Sequence, residues 1–264
     1  VAGTGCFSSD PLFTSGHYLS LKSPCINSGS VDVADAGLSG KYSMTNITDT
    51  GSVDLGYHYD LPYTPREIYV SPSGDNGNNG TSTNPYKTVT YALSVARQNT
   101  KIYLAPGVYS WALGEVFPLN IATNDVQIIG TGINAEQTVL WPGGTNRVVN
   151  AYGVGRGSML SNVTMACGAV AGAGLDGGGL HIERSGLQVV SCLVASNSVN
   201  GSTARGSGIY ITDGAPVISR TSLRCNSNIN SLGDGGAIYA DNGTYLMVDS
   251  CLISSNSSKA NNRD

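Results

Sequence analysis

The chain has 264 residues, of which 40% are apolar, 12% are charged and 35 are glycine. That length and apolar share suffice for a core in one or two domains, while the low charge and the abundance of Gly, Ser, Thr and Asn favour stacked strands and tight turns, so an all-β chain is expected. A formal net charge of −4 without a basic cluster excludes nucleic acid as the main partner, and no run approaches the roughly 18–20 apolar residues needed to span a bilayer.

The opening VAGTGCFSSD carries neither an initiator Met nor the charged and apolar regions of a secretory signal, as expected of a processed product or a segment of something longer. Residues 1–60 are loop-rich and hold Cys6 and Cys25, a candidate disulfide. Residues 61–67, LPYTPRE, contain Pro62 and Pro65 and read as a short stiff linker. From residue 68 a strand and a polar loop precede a short helix, in which Val89, Ala92, Leu93 and Ala96 form an i, i+3, i+4, i+7 apolar stripe.

The second half of the chain repeats itself. GGGLHI begins at 177, GSGIYI at 206 and GGAIYA at 235, a constant offset. At that offset Leu160, Val189, Ile218 and Val248 align, as do Met165, Val194, Leu223 and Ile253, then Val163, Cys192, Thr221 and Cys251. Leu180, Ile209 and Ile238 form a further row, followed two positions on by Ile182, Ile211 and Ala240. Each period therefore holds at least two short strands with alternate residues inward, separated by Gly, Ser or Asn turns. Leucine-rich repeats would need leucines in a fixed frame, helical arrays would need better helix formers, and calcium-binding nonapeptide repeats have a period of about 9. The expected fold is a right-handed parallel β-helix solenoid with about 29 residues per coil, in which equal positions stack at about 4.8 Å.

One column is polar: Gly168, Asn197, Asn226 and Asn256. Stacked Asn side chains can hydrogen-bond along the axis, so Asn197, Asn226 and Asn256 read as a structural ladder. Cys192 and Cys251 share a column two coils apart, as do Cys167 and Cys225; two strand spacings exceed the roughly 7 Å limit between bridged Cα atoms. All four read as buried free thiols acting as small apolar residues.

The coils ending in SCLVASN and SCLISSN, each entered from a Gly-rich apolar strand, resemble the pectin-lyase-like right-handed β-helix, especially its versions in large secreted and surface proteins such as the polymorphic outer membrane proteins. The stretch IYVSPSGDNGNNGTSTNPYKTVTYALSVARQNTKIYLAPGVYS, residues 68–110, is similar to the opening of such a domain, with the helix capping its N-terminal end. In contrast, DPLFTSGHYLSLKSPCINSGS and GSVDLGYHYD, within residues 1–60, resemble the closing segment of β-helix proteins of the choice-of-anchor Q type. An ending thus precedes a beginning, and the β-helix of residues 68–264 is expected to be open at its C-terminal end. The partners this implies are adjacent tandem domains or copies of the chain joined head to tail, in an extracellular or cell-surface structural protein, a filament or adhesin. The alternative the resemblance carries is a polysaccharide-binding or polysaccharide-degrading β-helix.

Catalytic candidates are few. Asp176 and Asp234 share a column two coils apart with Arg205 between them, a separation tolerable for an inverting glycosidase pair, but each lies in a Gly-rich turn where Asp serves the backbone. Asp213 and Asp241 also read as turn residues. GAGLDG at 172–177 matches the dinucleotide GxGxxG pattern but leads into a strand rather than a helix. No cofactor motif and no metal-ligand spacing appears. His181, outward between inward Leu180 and Ile182, reads as a surface histidine, as do His17 and His58. Tyr210 and Tyr239 are one period apart and expected to stack outward, with Tyr152 nearby. Six Asn-x-Ser/Thr sequons occur, at Asn46, Asn79, Asn162, Asn200, Asn242 and Asn256; Asn79, Asn200 and Asn242 fall in loops expected to be exposed and are the glycosylation candidates.

Overall fold

Each period returns the chain to the same place because the strands stack without changing register. The computed structural model describes residues 10–13, 19–39, 41–44, 47–56, 58, 66–172, 175–201, 203–229, 235–241 and 243–259. The chain divides into two compact units, Val1–Pro65 and Arg66–Asp264.

The larger unit is a parallel β-helix. Its strands form four parallel sheets of seven, six, five and four strands, running along the stacking axis. The seven-stranded sheet pairs Leu160 with Val189, Val189 with Ile218, and Ile218 with Val248. In the six-stranded sheet Met165, Val194, Leu223 and Ile253 pair in succession. The inward columns supply the core, and Leu160, Met165, Val189, Val194, Ile218 and Leu223 are completely buried. Burying a side chain of this size stabilises by about 1.5–3 kcal/mol, so each coil contributes through the neighbours it covers.

The repeated glycines have a backbone cause. Gly177, Gly206 and Gly235 all adopt left-handed φ, at 69°, 59° and 72°, and a Cβ on Gly206 would sit 2.4 Å from the Ile209 carbonyl oxygen. Only glycine enters these strands without strain.

The Asn residues form a continuous hydrogen-bonded stack. Asn197 Nδ2 donates to Asn226 Oδ1 at 3.0 Å, and Asn226 Nδ2 donates to Asn256 Oδ1 at 2.8 Å. Each Oδ1 also accepts from the backbone N–H of the coil before it: Gly168 to Asn197, Asn197 to Asn226, and Asn226 to Asn256, at 2.8, 3.1 and 3.0 Å. The stack stops at Gly168 because a Cβ there would lie 2.0 Å from the Gly178 carbonyl oxygen.

The cysteine reading needs correction. Cys192 is buried, but Cys167 is half-buried and Cys225 exposed, and Cys251 is half-buried near the end of the stack. Cys167 and Cys225 immediately precede ladder positions and take left-handed φ of 54° and 56°, a turn geometry that aims their side chains away from the core. Cys25 is a buried free thiol, and Cys6, its candidate partner, lies outside the described residues.

At the N-terminal end of the solenoid the helix Val89–Val95 packs Val89 and Ala92 into the core, with Leu93 and Ala96 half-buried against it. Thr88 caps it, its Oγ1 accepting from Tyr91 N at 3.2 Å. The buried Glu115 carboxylate accepts from Val89 N at 2.6 Å, Thr90 N at 2.9 Å and Thr90 Oγ1 at 2.5 Å, satisfying the open donors of the first turn. The first strand is Arg66–Val70; it begins just before the expected start at 68 and takes in the end of the expected linker, whose residues 61–65 lie outside the described residues.

At the other end the apolar columns are exposed. Val248 and Ile253 are 44% and 51% accessible, where their equivalents one coil earlier are sealed. Met247 and Leu252 are exposed too, and Met247–Asp249 and Leu252–Ser254 are the terminal strands of their sheets.

The smaller unit has an antiparallel pair, Tyr42–Met44 with Ile47–Thr48, and a core of Leu19, Cys25 and Met44 with Ile26 and Leu55 packed against it. Here His58 is not a surface residue: its side chain is 7% exposed and its Nε2 lies 2.6 Å from the buried Asp49 Oδ2. Asp49 Oδ2 also accepts from Asp54 N at 2.9 Å, and Asp54 Oδ1 accepts from Asn27 N at 2.6 Å, so two buried carboxylates organise the loops. Phe13, Leu21 and Val31 are exposed on this unit, and His17 lies outside the described residues.

Candidate functional site

The five-stranded sheet is built from Leu119–Ile121, Val149–Tyr152, Leu180–Glu183, Ile209–Thr212 and Ile238–Ala240. Strand alternation sends Leu180 and Ile182 inward and the residue between them outward. The outward column is Asn120, Asn150, His181, Tyr210 and Tyr239, each paired with the next. A second outward column places Tyr152 beside Glu183 and Glu183 beside Thr212.

These side chains are held in place. Asn150 Nδ2 donates to Asn120 Oδ1 at 3.0 Å, and Arg147 Nη1 donates to Asn150 Oδ1 at 2.7 Å. Arg147 Nε donates to the carbonyls of Gly177 at 2.7 Å and Asp176 at 3.1 Å, and its Nη2 also reaches the Asp176 carbonyl. Burial lowers the Arg147 pKa to about 10, a shift partly opposed by the Asp176 carboxylate. Tyr210 and Tyr239 stack with centroids 5.8 Å apart and planes within 4°, and the Arg205 guanidinium lies 5.0 Å from the Tyr239 centroid.

His181 is more than a surface histidine. Its ring meets Tyr210 edge-on at 5.0 Å, and its Nε2 is sealed from solvent without a hydrogen-bond partner. Burial, helped by the Arg147 charge, pushes its pKa down to about 4, so the ring is neutral at pH 7. Beside it a depression of about 370 Å³ is lined by Asn120, Arg147, Asn150, Tyr152, His181 and Glu183, with Ile121, Ala122 and Ala151.

Of the two carboxylates singled out in the sequence, Asp176 alone lies among the described residues. Asp176 Oδ1 accepts from Arg205 N at 2.6 Å, closing a turn to the next coil, and burial raises its pKa. The Arg205 guanidinium faces Asp241 Oδ2 at 3.6 Å, and Asp234 lies outside the described residues. Among the described residues no group of three His, Cys, Asp or Glu side chains could hold a metal ion, and no helix is long and apolar enough to cross a membrane. Of the glycosylation candidates, Asn79 and Asn200 are exposed and Asn242 lies outside the described residues. The Asn162 amide is committed to the carbonyls of Gly130 and Gly132 at 2.9 and 2.7 Å.

The missed residues are Asn120, Arg147 and Asn150, which come from coils of unequal length and so escape a fixed-period comparison. The available signal was the outward step between inward Leu119 and Ile121, and between inward Val149 and Ala151.

No curated protein matches the chain in sequence. Among solved structures it is similar to a rhamnogalacturonan lyase, at 15% identity and a TM-score of 0.45 over 73% of this chain and 52% of that one. It is also similar to Escherichia coli YbhC, at 14% identity and a TM-score of 0.43 over 71% of this chain and 57% of that one. The chain thus spans little more than half the length of either. The family described as "Protein of unknown function (DUF1565)" matches residues 72–236. That match takes in most coils of the β-helix and the whole depression beside His181, and the chain belongs to the DUF1565 family.

Proposed function

We propose that the protein is an extracellular structural component of a cell surface, a stiff β-helix whose copies stack end to end. The open face of one copy is covered by the 1–60 closing segment of the next; in a tandem polypeptide the same contact is made between covalently joined domains. Loops along the solenoid are then free to present adhesive surfaces.

What supports this reading is the unbroken register of the solenoid, in which Ile218 pairs with Val248 and Leu223 with Ile253 as in every coil before, so that its sheets can continue into any further coil that pairs with them. Exposed strand edges over an uncovered apolar face template further pairing. The smaller unit has apolar side chains of its own at the surface, Phe13, Leu21 and Val31, to offer in return. A contact between two different faces does not close on itself and propagates into a filament.

Sedimentation velocity over a range of concentrations tests the reading. The mass is expected to rise with concentration, and Ile253→Lys is expected to hold the protein at monomer mass with an unchanged circular dichroism spectrum. A wild-type chain that stays monomeric throughout, or an Ile253→Lys variant that assembles like wild type, would contradict it.

A further inference from the structure

We infer that the smaller unit holds a binding site for an aliphatic polyamine, a cleft in which Asp32, Asp35 and Asp49 meet ammonium groups spaced along one ligand chain. Its occupation does not depend on end-to-end stacking.

The charge of the chain is unevenly shared. Residues 1–65 contain six Asp, no Glu and no Arg, against Lys22 and Lys41, so the smaller unit carries the whole formal net charge of −4. The β-helix unit, with twelve acidic and twelve basic residues, is balanced. A field of one sign confined to one part of a molecule raises the local concentration of the opposite ions. Within the smaller unit a cleft of about 500 Å³ is lined by Asp32, Asp35 and Asp49 together with Ala34, Ser39 and Thr50, and no Lys, Arg or His is among its described lining residues. That volume falls inside the roughly 300–1,000 Å³ range of small-ligand clefts.

One of the three carboxylates is unsatisfied. Asp49 is 3% exposed although it stands in the cleft wall. Its Oδ2 meets His58 Nε2 at 2.6 Å and accepts from Asp54 N at 2.9 Å, which holds the side chain in place. Its Oδ1 has no hydrogen-bond partner. Buried polar atoms in folded proteins are almost always paired, and an orphaned carboxylate oxygen beside an open cleft is the group that an entering donor satisfies. Asp32 and Asp35 are exposed and supply negative charge nearer to solvent.

The arrangement selects among cations. A divalent metal ion gathers several oxygens around one point, and among the described residues no three carboxylate, His or Cys side chains are close enough to do so. A guanidinium prefers both oxygens of one carboxylate, whereas Asp49 has only Oδ1 to offer. An ammonium group is a point charge with three donors; one carboxylate oxygen and neighbouring hydroxyls, here those of Ser39 and Thr50, suit it. Carboxylates too dispersed for one ion each serve a separate charge, which a chain of ammonium groups joined by methylenes provides.

Isothermal titration of the intact chain with spermidine at about 20 mM salt tests the assignment. Binding is expected with one site per chain and a Kd of about 10–100 μM, with putrescine at least about five-fold weaker because it carries one charge fewer. The double change Asp32→Asn and Asp35→Asn, at exposed positions with no fold to upset, is expected to weaken spermidine at least about ten-fold. Asp10→Asn removes the same kind of charge from the same unit outside the cleft and is expected to leave the affinity within about two-fold of wild type. Absence of binding at up to about 5 mM spermidine, wild-type affinity in the double variant, or an equal loss in Asp10→Asn, the mark of diffuse charge attraction, would overturn the assignment. So would full displacement of spermidine by calcium chloride at about 1 mM, since the cleft would then be a metal site. A chain that stays monomeric would leave each of these results untouched.

Discussion

Replacing Asn226 by alanine removes the middle rung of the ladder. Its Oδ1 accepts from Asn197 N at 3.1 Å and Asn197 Nδ2 at 3.0 Å, and its Nδ2 donates to Val194 O at 3.0 Å and Asn256 Oδ1 at 2.8 Å. In Asn226→Ala the Asn197 backbone N–H is left without its acceptor, while Asn197 Nδ2 keeps only Met165 O at 3.0 Å. Both Asn197 and Asn226 are fully buried, so water cannot substitute. Each orphaned buried group costs about 1–3 kcal/mol, which with the void left by the carboxamide gives about 3–5 kcal/mol for the variant. Asn256→Ala breaks equivalent bonds at the exposed end of the stack, where water can enter, and is expected to cost about 1 kcal/mol. Urea denaturation followed by circular dichroism compares the two, with the unfolding slope checked because a solenoid can unfold coil by coil. A penalty for Asn226→Ala no greater than that for Asn256→Ala would refute the claim that buried axial hydrogen bonds, and not mere occupancy of the turn, hold the coils in register.

Glu115→Ala leaves the Val89 and Thr90 donors of the capping helix open and is expected to cost about 2–4 kcal/mol, against about 1–2 kcal/mol for Glu115→Gln, which keeps one acceptor oxygen; thermal unfolding reads the difference. The folded-state pKa of His181, near 4, lies below its unfolded value of about 6.5, so the stability it contributes is full above pH 6.5 and lost as pH falls toward 4. The full shift corresponds to about 2 kcal/mol at pH 5, reduced to about 1 kcal/mol by solvent screening, and His181→Gln is expected to flatten that limb of the pH–stability curve. In the folded protein Cys225, exposed, is expected to react with a maleimide within minutes, while Cys192, buried with its pKa pushed up to about 12, stays unlabelled until urea is added; mass spectrometry of the labelled peptides decides.

The regular coils were legible in the sequence because stacking demands equal spacing. Leu160, Val189, Ile218 and Val248 could be put in one column from the constant offset alone, and they pair in that order. The earlier coils were not legible in this way. Ile68, Ile102, Ile128 and Leu160 share a column although the sequence intervals between them are unequal, since loops of different length intervene. This is why Asn120 and Asn150 did not join His181 in the sequence reading, and why the depression they line with Arg147 appeared only in three dimensions. Periodicity also fixes a column without fixing its direction: Cys167 and Cys225 are stacked as expected, yet their left-handed backbone turns them outward. The His58–Asp49 pair joins two loop residues of the smaller unit, where no period exists to reveal it.

Electron microscopy of the protein as isolated, without refolding, is the most direct test of end-to-end stacking. Seven stacked strands span roughly 30 Å at about 4.8 Å per interval, so filaments with an axial repeat of at least that length are expected, and they should disappear in Ile253→Lys. A field of discrete single-chain particles, at concentrations where the wild-type fold is intact, would contradict the proposal that the exposed columns at Val248 and Ile253 are covered by another copy.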